Sequence, residues 1–324
     1  MIPLPLNLKL KVPGYRRRWL SRYACMISEI QQQSPSLRYG VEEDIPWIET
    51  KDNKVKLFGF LTEKKNEDVL RILGHTIPSE IPVTHFRLVK DYLNRYIYPH
   101  MRPDLKPEGF MVDQMFGFHG QHKDSILDLP NSSLHSELIE MFTPKLGENI
   151  IDCGCFLGFG ELRIAPEIGH GRIFAVEADS LCYELLNKNI QHNNVENVVT
   201  LQRAVWNKEL ELDLQSDFAQ ANSLLSEVHK GKTTERVRTI TIDRIVDDYN
   251  LEKVDMLSLT LNGAEVEAID GAVHTLKKFR PRIRLAGWYQ RNGRKISEIT
   301  RSQLEPLGYK VFVGSRGNTM AIPV

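Results

Sequence analysis

The 324 residues predict an α/β fold: a doubly wound, mostly parallel seven-stranded sheet ending in an antiparallel hairpin, preceded by a smaller α+β N-terminal region. Three observations predict it. From Ser133 onward, short β-branched runs alternate with segments of helical period, the pattern of a parallel sheet with helices on both faces. The last two strand-like runs are joined only by Gly314-Ser315-Arg316-Gly317-Asn318, too short for a parallel crossover, so they pair as a hairpin. Between Tyr98 and Pro130 the chain is punctuated by Pro99, Pro103, Pro107, Gly109, Gly117 and Gly120, which marks a linker and divides the chain into regions 1–130 and 131–324.

The first 28 residues carry Lys9, Lys11, Arg16, Arg17, Arg18 and Arg22 with no acidic side chain, interleaved with Tyr15, Trp19 and Tyr23. Such an arm suits contact with an anionic membrane surface or an acidic partner; a solvated helix face is the ordinary alternative. Pro46–Thr50 and Val55–Phe60, separated by the polar turn Lys51-Asp52-Asn53-Lys54, predict a hairpin. Amphipathic helices follow near 66–73 and 83–97.

In the second region the apolar runs predict strands at Asn149–Cys153, Arg172–Glu177, Val198–Val205, Val254–Leu261, Arg282–Trp288, Tyr309–Val313 and Thr319–Val324. Helices are predicted at Leu134–Thr143, Glu161–Ile168, Leu181–Asn193, Glu265–Phe279 and Lys295–Leu307.

Lys and Arg total 42 and Asp and Glu total 42, so the net charge is zero. That balance lacks the basic excess with which a nucleic-acid reader displaces counterions, and no nucleic-acid partner is expected. Cys25, Cys153, Cys155 and Cys182 are too few for a disulfide framework, and Cys-x-Cys is not a zinc knuckle. No metal site is expected, because no two histidines share i, i+4 spacing with a helical carboxylate. No apolar run approaches the roughly 20 residues that cross a bilayer. A cytoplasmic protein is expected.

The sharpest local signal is Ile150-Ile151-Asp152-Cys153-Gly154-Cys155-Phe156-Leu157-Gly158-Phe159-Gly160. It reads as a buried strand ending in an acid, then a glycine-rich turn before a helix. Its spacing is Gly-x3-Gly-x-Gly rather than the Gly-x-Gly-x2-Gly that cradles a pyrophosphate, which counts against a nicotinamide or flavin dinucleotide. A second acid, Glu177, closes the next strand in Ala175-Val176-Glu177-Ala178. A carboxylate there can accept both hydroxyls of a ribose; Asp179 and Ser180 look like the cap of the following helix.

These pieces continue in order through Leu186-Asn187-Lys188-Asn189, Ala204-Val205, Asn222-Ser223-Leu224, Thr239-Ile240-Thr241-Ile242-Asp243, Gly263-Ala264-Glu265, Gly271-Ala272 and Arg280-Pro281. Together they resemble the FkbM-type S-adenosylmethionine-dependent methyltransferases across about residues 133–324. The resemblance implies a class I methyltransferase sheet, whose terminal hairpin distinguishes it from dinucleotide-binding Rossmann domains. It also implies S-adenosyl-L-methionine as cofactor, with S-adenosyl-L-homocysteine as product. Asp152, Gly154, Cys155, Phe156 and Gly158 would border its methionine end, Glu177 and Ala178 its ribose, and Ala204 its adenine, with Thr260 and Asn262 nearby.

The chain departs from the family pattern at the fourth strand. Where an acidic pair is common, as Asp-x-Glu-Gly-Ala-Glu, this chain reads Thr260-Leu261-Asn262-Gly263-Ala264-Glu265. Phe156 stands where Asn is frequent, and Ala286-Gly287-Trp288-Tyr289 replaces a strand-end acid. A hydroxyl acceptor benefits from a base, and the candidate catalytic residues are His119, His122 and Glu265; loop histidines and a helix N-terminal acid are the plainer readings. The expected activity is O-methylation of a small-molecule or glycan-like acceptor, for whose sugar face Trp288 and Tyr289 offer a surface. The alternative is a methyltransferase-like scaffold that has lost its chemistry. The N-terminal region is expected to cover the pocket and to mediate a homodimer.

Overall fold

A computed structural model describes residues 37–43, 45–50, 55–59, 137–138, 140–216, 222–228, 233–314 and 317–324. The basic arm, the helices expected near 66–73 and 83–97, the linker, Cys25, His119 and His122 lie outside the described residues. The chain divides into two compact units, the first ending at Met101.

In the first unit, β1 (Leu37–Glu42), β2 (Ile45–Thr50) and β3 (Lys56–Phe58) form an antiparallel sheet. The predicted hairpin is β2 with β3, in the register Trp47↔Phe58 and Glu49↔Lys56; β1 was not foreseen. Lys56 lies 4.3 Å from the Trp47 ring centroid and pairs with Glu42 at 3.2 Å, a cross-strand clamp of aromatic and ionic contacts.

The second unit is built on a seven-stranded sheet. Its strands are β4 (Ile150–Cys153), β5 (Ile173–Glu177), β6 (Val198–Gln202), β10 (Met256–Leu259), β11 (Arg282–Ala286), β14 (Tyr309–Val313) and β15 (Asn318–Pro323). Their order across the sheet is β14-β15-β11-β10-β4-β5-β6. Pairing is parallel from β11 to β6, and β15 runs antiparallel to both β11 and β14. This is the expected doubly wound sheet of the class I methyltransferase type with its C-terminal hairpin.

The predicted strand Val198–Val205 is two elements. After Arg203 the chain leaves the main sheet, and β7 (Ala204–Val205) joins β8 (Glu211–Gln215) and β9 (Thr234–Ile240) in a small separate sheet. The strands expected at 254–261 and 282–288 are shorter than predicted, because the polar and glycine-bearing ends turn into loops. One further short hairpin, β12 (Gln290–Arg291) with β13 (Arg294–Lys295), follows β11.

Two helices flank the start of the sheet, α1 (Phe159–Ile168) and α2 (Ser180–His192). Asp179 is the N-cap of α2 and accepts the Cys182 amide at 2.8 Å, as its sequence position suggested. On the opposite side lie α3 (Ile242–Asp248), α4 (Glu265–Asp270), α5 (Val273–Phe279) and α6 (Ile296–Leu304). Their Ile242, Ile245, Ala268, Ile269, Leu276, Ile296 and Leu304 form one core with Ile151, Cys153, Phe174, Val176, Leu257, Leu259, Ile283 and Leu285. Period-2 alternation therefore turns Ile150, Asp152, Ser258 and Arg284 toward the α1/α2 face.

The single helix predicted over 265–279 breaks at Gly271-Ala272. A Cβ on Gly271 would lie 2.4 Å from the Trp206 carbonyl oxygen, and Asp243 supplies the start of α5 by accepting the amides of His274 and Thr275 at 3.0 and 2.8 Å. The helix expected to run to Leu307 likewise ends at Leu304 and continues as a 3-10 turn, with Pro306 at its start.

Candidate functional site

The C-terminal ends of β4, β5 and β10, with the chain after β6, line an open cleft whose empty space, solvent at its mouth included, is about 530 Å³. Open α/β sheets bind ligands at this edge. Gly154, Phe156, Glu177, Ala178, Ala204, Thr260 and Asn262 line it, all predicted from sequence. The structure adds Val176, Arg203, Val205, Leu214, Asn222 and Leu224, Leu261 and Ala264. Asp152, Cys155 and Gly158 stand behind this lining.

The turn after β4 is shaped by close backbone contact. Gly154 has φ +80°, and a Cβ there would meet the Thr260 carbonyl oxygen at 2.1 Å, so the β4 and β10 loops touch through bare backbone. Its amide donates to the Val176 carbonyl at 2.8 Å, and the Thr260 amide to the Cys153 carbonyl at 2.8 Å. Gly158, at φ +77°, is the N-cap of α1 and packs against Leu186. Phe156 adopts φ 58°, a left-handed conformation uncommon for a bulky residue, and its side chain faces the cleft.

Glu177 ties the turn to the next strand. Its Oε2 accepts the Phe156 amide at 2.9 Å, and its Oε1 accepts the amides of Ala178 and Asp179 at 2.8 and 3.0 Å. Burial raises its pKa from 4.5 to about 7, against the lowering effect of these amides. A carboxylate offers about four acceptor positions. Ligand hydroxyls would meet the remaining one and share the others.

The fourth-strand loop is held from three directions. Asn262, at φ 51°, donates from Nδ2 to the Asn222 carbonyl at 2.8 Å and accepts the Tyr289 hydroxyl on Oδ1 at 3.0 Å. Its own carbonyl accepts the Ser223 hydroxyl at 2.8 Å. Asn222 in turn donates to Asp179 Oδ2 at 2.8 Å, which carries the segment 222–228 across to the α2 cap. The polar side chain at this family position thus joins three elements of the cleft wall.

Glu265 does not fit the catalytic role expected of it. It is fully buried, and its two oxygens accept the amides of Leu261 and Gly263 at 2.8 and 2.9 Å. Burial raises its pKa to about 7. It braces its own loop, the plainer reading of a helix N-terminal acid. Burial, more than its acidic neighbours, also raises the Cys155 thiol, whose Sγ contacts the Val176 carbonyl at 3.5 Å. Trp288 is 42% exposed and Tyr289 half-buried, so only Trp288 offers an open ring.

Asp152 faces Arg284 across β10, Oδ2 to Nη2 at 3.6 Å, with both side chains almost wholly buried. No local motif marks that partner, because the two residues meet only through the β4-β10-β11 register. Arg203 has no motif of its own either. Asn222 and Leu224 stood within the resemblance but not among the predicted site residues.

The methyltransferase FkbM domain matches residues 159–311, a stretch that includes Glu177, Ala204 and Asn262. The match begins just after the glycine-rich turn. Among solved structures, the chain is similar to methyltransferase FkbM from Methylobacillus flagellatus KT at 13% identity, covering 80% of this chain and 69% of that one, with a TM-score of 0.41. It is also similar to an S-adenosylmethionine-dependent O-methyltransferase from Thermotoga maritima, at 16% identity over 60% of this chain and 66% of that one, TM-score 0.35. Fibrillarin from Aeropyrum pernix, whose structure holds natively bound S-adenosyl-L-methionine, is similar at 16% identity over 56% and 67%, TM-score 0.35. No curated protein matches the chain.

Proposed function

Because residues 159–311 match the methyltransferase FkbM domain, we propose that the protein transfers a methyl group from S-adenosyl-L-methionine to an oxygen of a small-molecule or glycan-like acceptor. The observation that carries the reading is the convergence of Gly154, Phe156, Glu177, Ala178, Ala204, Thr260 and Asn262 on one cleft at the carboxyl edge of the sheet.

The residues suit the group by their chemistry. Glu177 offers acceptors to a ribose diol, and Ala178, Ala204, Val205, Leu214 and Leu224 give an apolar slot for a purine. The Gly154 turn approaches the ligand through backbone. When bound, the cofactor supplies an electrophilic methyl on a sulfonium. Transfer of that methyl to an acceptor oxygen would exchange the S–C bond for a C–O bond and would need a base to take the hydroxyl proton. The chain's contribution is alignment, the larger part of such a barrier. Among the candidate bases, Glu265 is enclosed by its own loop, and His119 and His122 remain the candidates, outside the described residues.

Calorimetric titration with S-adenosylhomocysteine tests the cofactor, and radiolabelled methyl transfer to a panel of hydroxylated glycosides tests the reaction. Micromolar binding with incorporation supports both. A folded chain that does not bind S-adenosylhomocysteine at millimolar concentration sinks the reading.

A methyltransferase-like scaffold is favoured by one observation: Asn262 and Tyr289, at the positions where acids are common, hold each other at 3.0 Å. It requires cofactor binding without turnover, or no binding at all. Clear methyl incorporation excludes it.

A further inference from the structure

Segment 222–228 runs along the cleft and contributes Asn222 and Leu224 to its lining. It is held from several sides. The Ser223 amide donates to the Gln215 carbonyl at the end of β8 at 3.2 Å, and the Gln215 amide returns the bond at 2.7 Å. Asn222 Nδ2 donates to Asp179 Oδ2 at 2.8 Å, and Arg291 Nε to Glu227 at 3.1 Å. The last attachment is Asn262, whose Nδ2 donates to the Asn222 carbonyl while its own carbonyl accepts the Ser223 hydroxyl, both at 2.8 Å. Gly263 makes room for the segment, because a Cβ there would meet Val228 at 2.8 Å and Leu225 at 3.1 Å.

Asn262 is 7% exposed, and its side chain donates in one direction and accepts in the other, since Oδ1 takes the Tyr289 hydroxyl at 3.0 Å. An amide can do both. An ionised acid, the common residue here in the family that the sequence resembles, only accepts, and it would set a negative oxygen against the Asn222 carbonyl. From Asn222 the bonds continue to Asp179, whose amide donates to Glu177 Oε1 at 3.0 Å. A polar chain thus crosses the cleft wall from Tyr289 to the strand-end acid.

We infer that Asn262 is a positioning residue for the adenosyl slot: it latches segment 222–228 along the cleft, so that Leu224 walls the slot and Asp179 keeps Glu177 oriented. That role rests on the cofactor reading above, and it gives the amide at 262 a purpose in binding.

Asn262→Asp is the informative variant, because an aspartic acid has nearly the shape of asparagine and recovers the donor only when protonated. Burial and the facing carbonyl would raise the new carboxyl into the neutral range. The titratable and charged groups around it are Glu265 in its own loop, Tyr289, Asp179 behind Asn222, Glu177 in the cleft, and Arg291 with Glu227 and Glu267. All are common to wild type, so the variant is read as a ratio to wild type at the same pH.

The full chain is titrated with S-adenosylhomocysteine at about pH 5 and about pH 8, and amide exchange of 222–228 is followed by mass spectrometry without ligand at both. The variant should bind within about twofold of wild type at the lower pH and roughly tenfold more weakly at the higher, with faster exchange of 222–228 at the higher pH alone. A plain packing defect would weaken binding equally at both. Should Asn262→Asp not fold, Asn262→Ala removes both side-chain bonds without adding charge and should show the loss at each pH. A ratio that does not change with pH in the aspartate variant, or unchanged exchange of 222–228 in either folded variant, overturns the latch while wild-type binding leaves the cofactor reading standing. If wild type does not bind S-adenosylhomocysteine, both fall.

Discussion

The amide of Phe156, in the turn after β4, donates to Oε2 of Glu177 at the end of β5 at 2.9 Å. The turn and the strand-end acid are thus one unit, and the acid's three amide contacts fix Phe156 in its left-handed conformation. Whatever enters the cleft meets a carboxylate that is already oriented and already raised in pKa by its burial.

That raised pKa makes adenosyl binding pH-dependent. Ribose hydroxyls donate only to the ionised carboxylate usefully, so binding pulls the Glu177 pKa down from about 7 and releases a proton. Affinity for S-adenosylhomocysteine should rise roughly tenfold between about pH 6 and about pH 8. Glu177→Gln should bind more weakly and flatten that rise. Titrations in buffers of different ionisation enthalpy count the proton; a flat profile in wild type contradicts the assignment.

Gly154→Ala should be among the most damaging single-methyl changes in the chain. The new Cβ would sit 2.1 Å from the Thr260 carbonyl oxygen at a φ of +80°, and backbone cannot swing aside as a side chain can. A loss of about 3 kcal/mol or more is expected from strain plus overpacking. Urea unfolding measures it, and an unchanged midpoint would show that the β4 and β10 loops separate freely.

Glu265→Ala should cost about 2 kcal/mol, because two buried amides, those of Leu261 and Gly263, lose their acceptor. The pH dependence has a definite sign. The folded pKa, about 7, is above the unfolded 4.5, so the native state holds more protons in that window. The stabilising contribution is full below about pH 4.5 and is lost as pH rises through about 7. Melting curves at about pH 5 and about pH 7.5 should differ less in the variant than in wild type. A larger difference in the variant would refute the sign.

The contrast between what the sequence disclosed and what it hid has physical causes. β4, β5 and β10 are continuous apolar runs because a parallel sheet buries both faces, so they stand out without context. β9 was missed although Val237 and Thr239 point inward between exposed Arg236 and Arg238, because its charged face masks a period-2 pattern. α3 begins with a Thr241 cap and spaces Ile242, Ile245 and Val246 on one face, a signal present in the sequence and passed over. The break at Gly271 was not legible, since it depends on Trp206, 65 positions away, crowding that backbone. In the cleft, residues carried by a local motif were found: Gly154, Phe156 and Glu177. Arg203 was not, because a lone arginine near a strand end has no spacing to betray it.

The last prediction concerns the other charged pair on the same sheet face. Arg282 bonds Glu148 in a bidentate manner, Nη1 to Oε1 at 2.8 Å, with the two side chains 13% and 10% exposed. Glu148 also accepts the Lys145 amide at 2.9 Å, so it closes the entry to β4. These partners meet in hydrogen-bonding contact on both Glu148 oxygens, while Arg282 Nε has no partner among the described residues, so the pair belongs to the fold. Glu148→Ala would strand a buried guanidinium, a change that costs about 3 kcal/mol in comparable pairs. Its signature should be lower stability with unaltered discrimination between S-adenosylhomocysteine and its decarboxylated analogue. An unchanged melting temperature in a folded Glu148→Ala variant would show that the pair adds nothing to the fold.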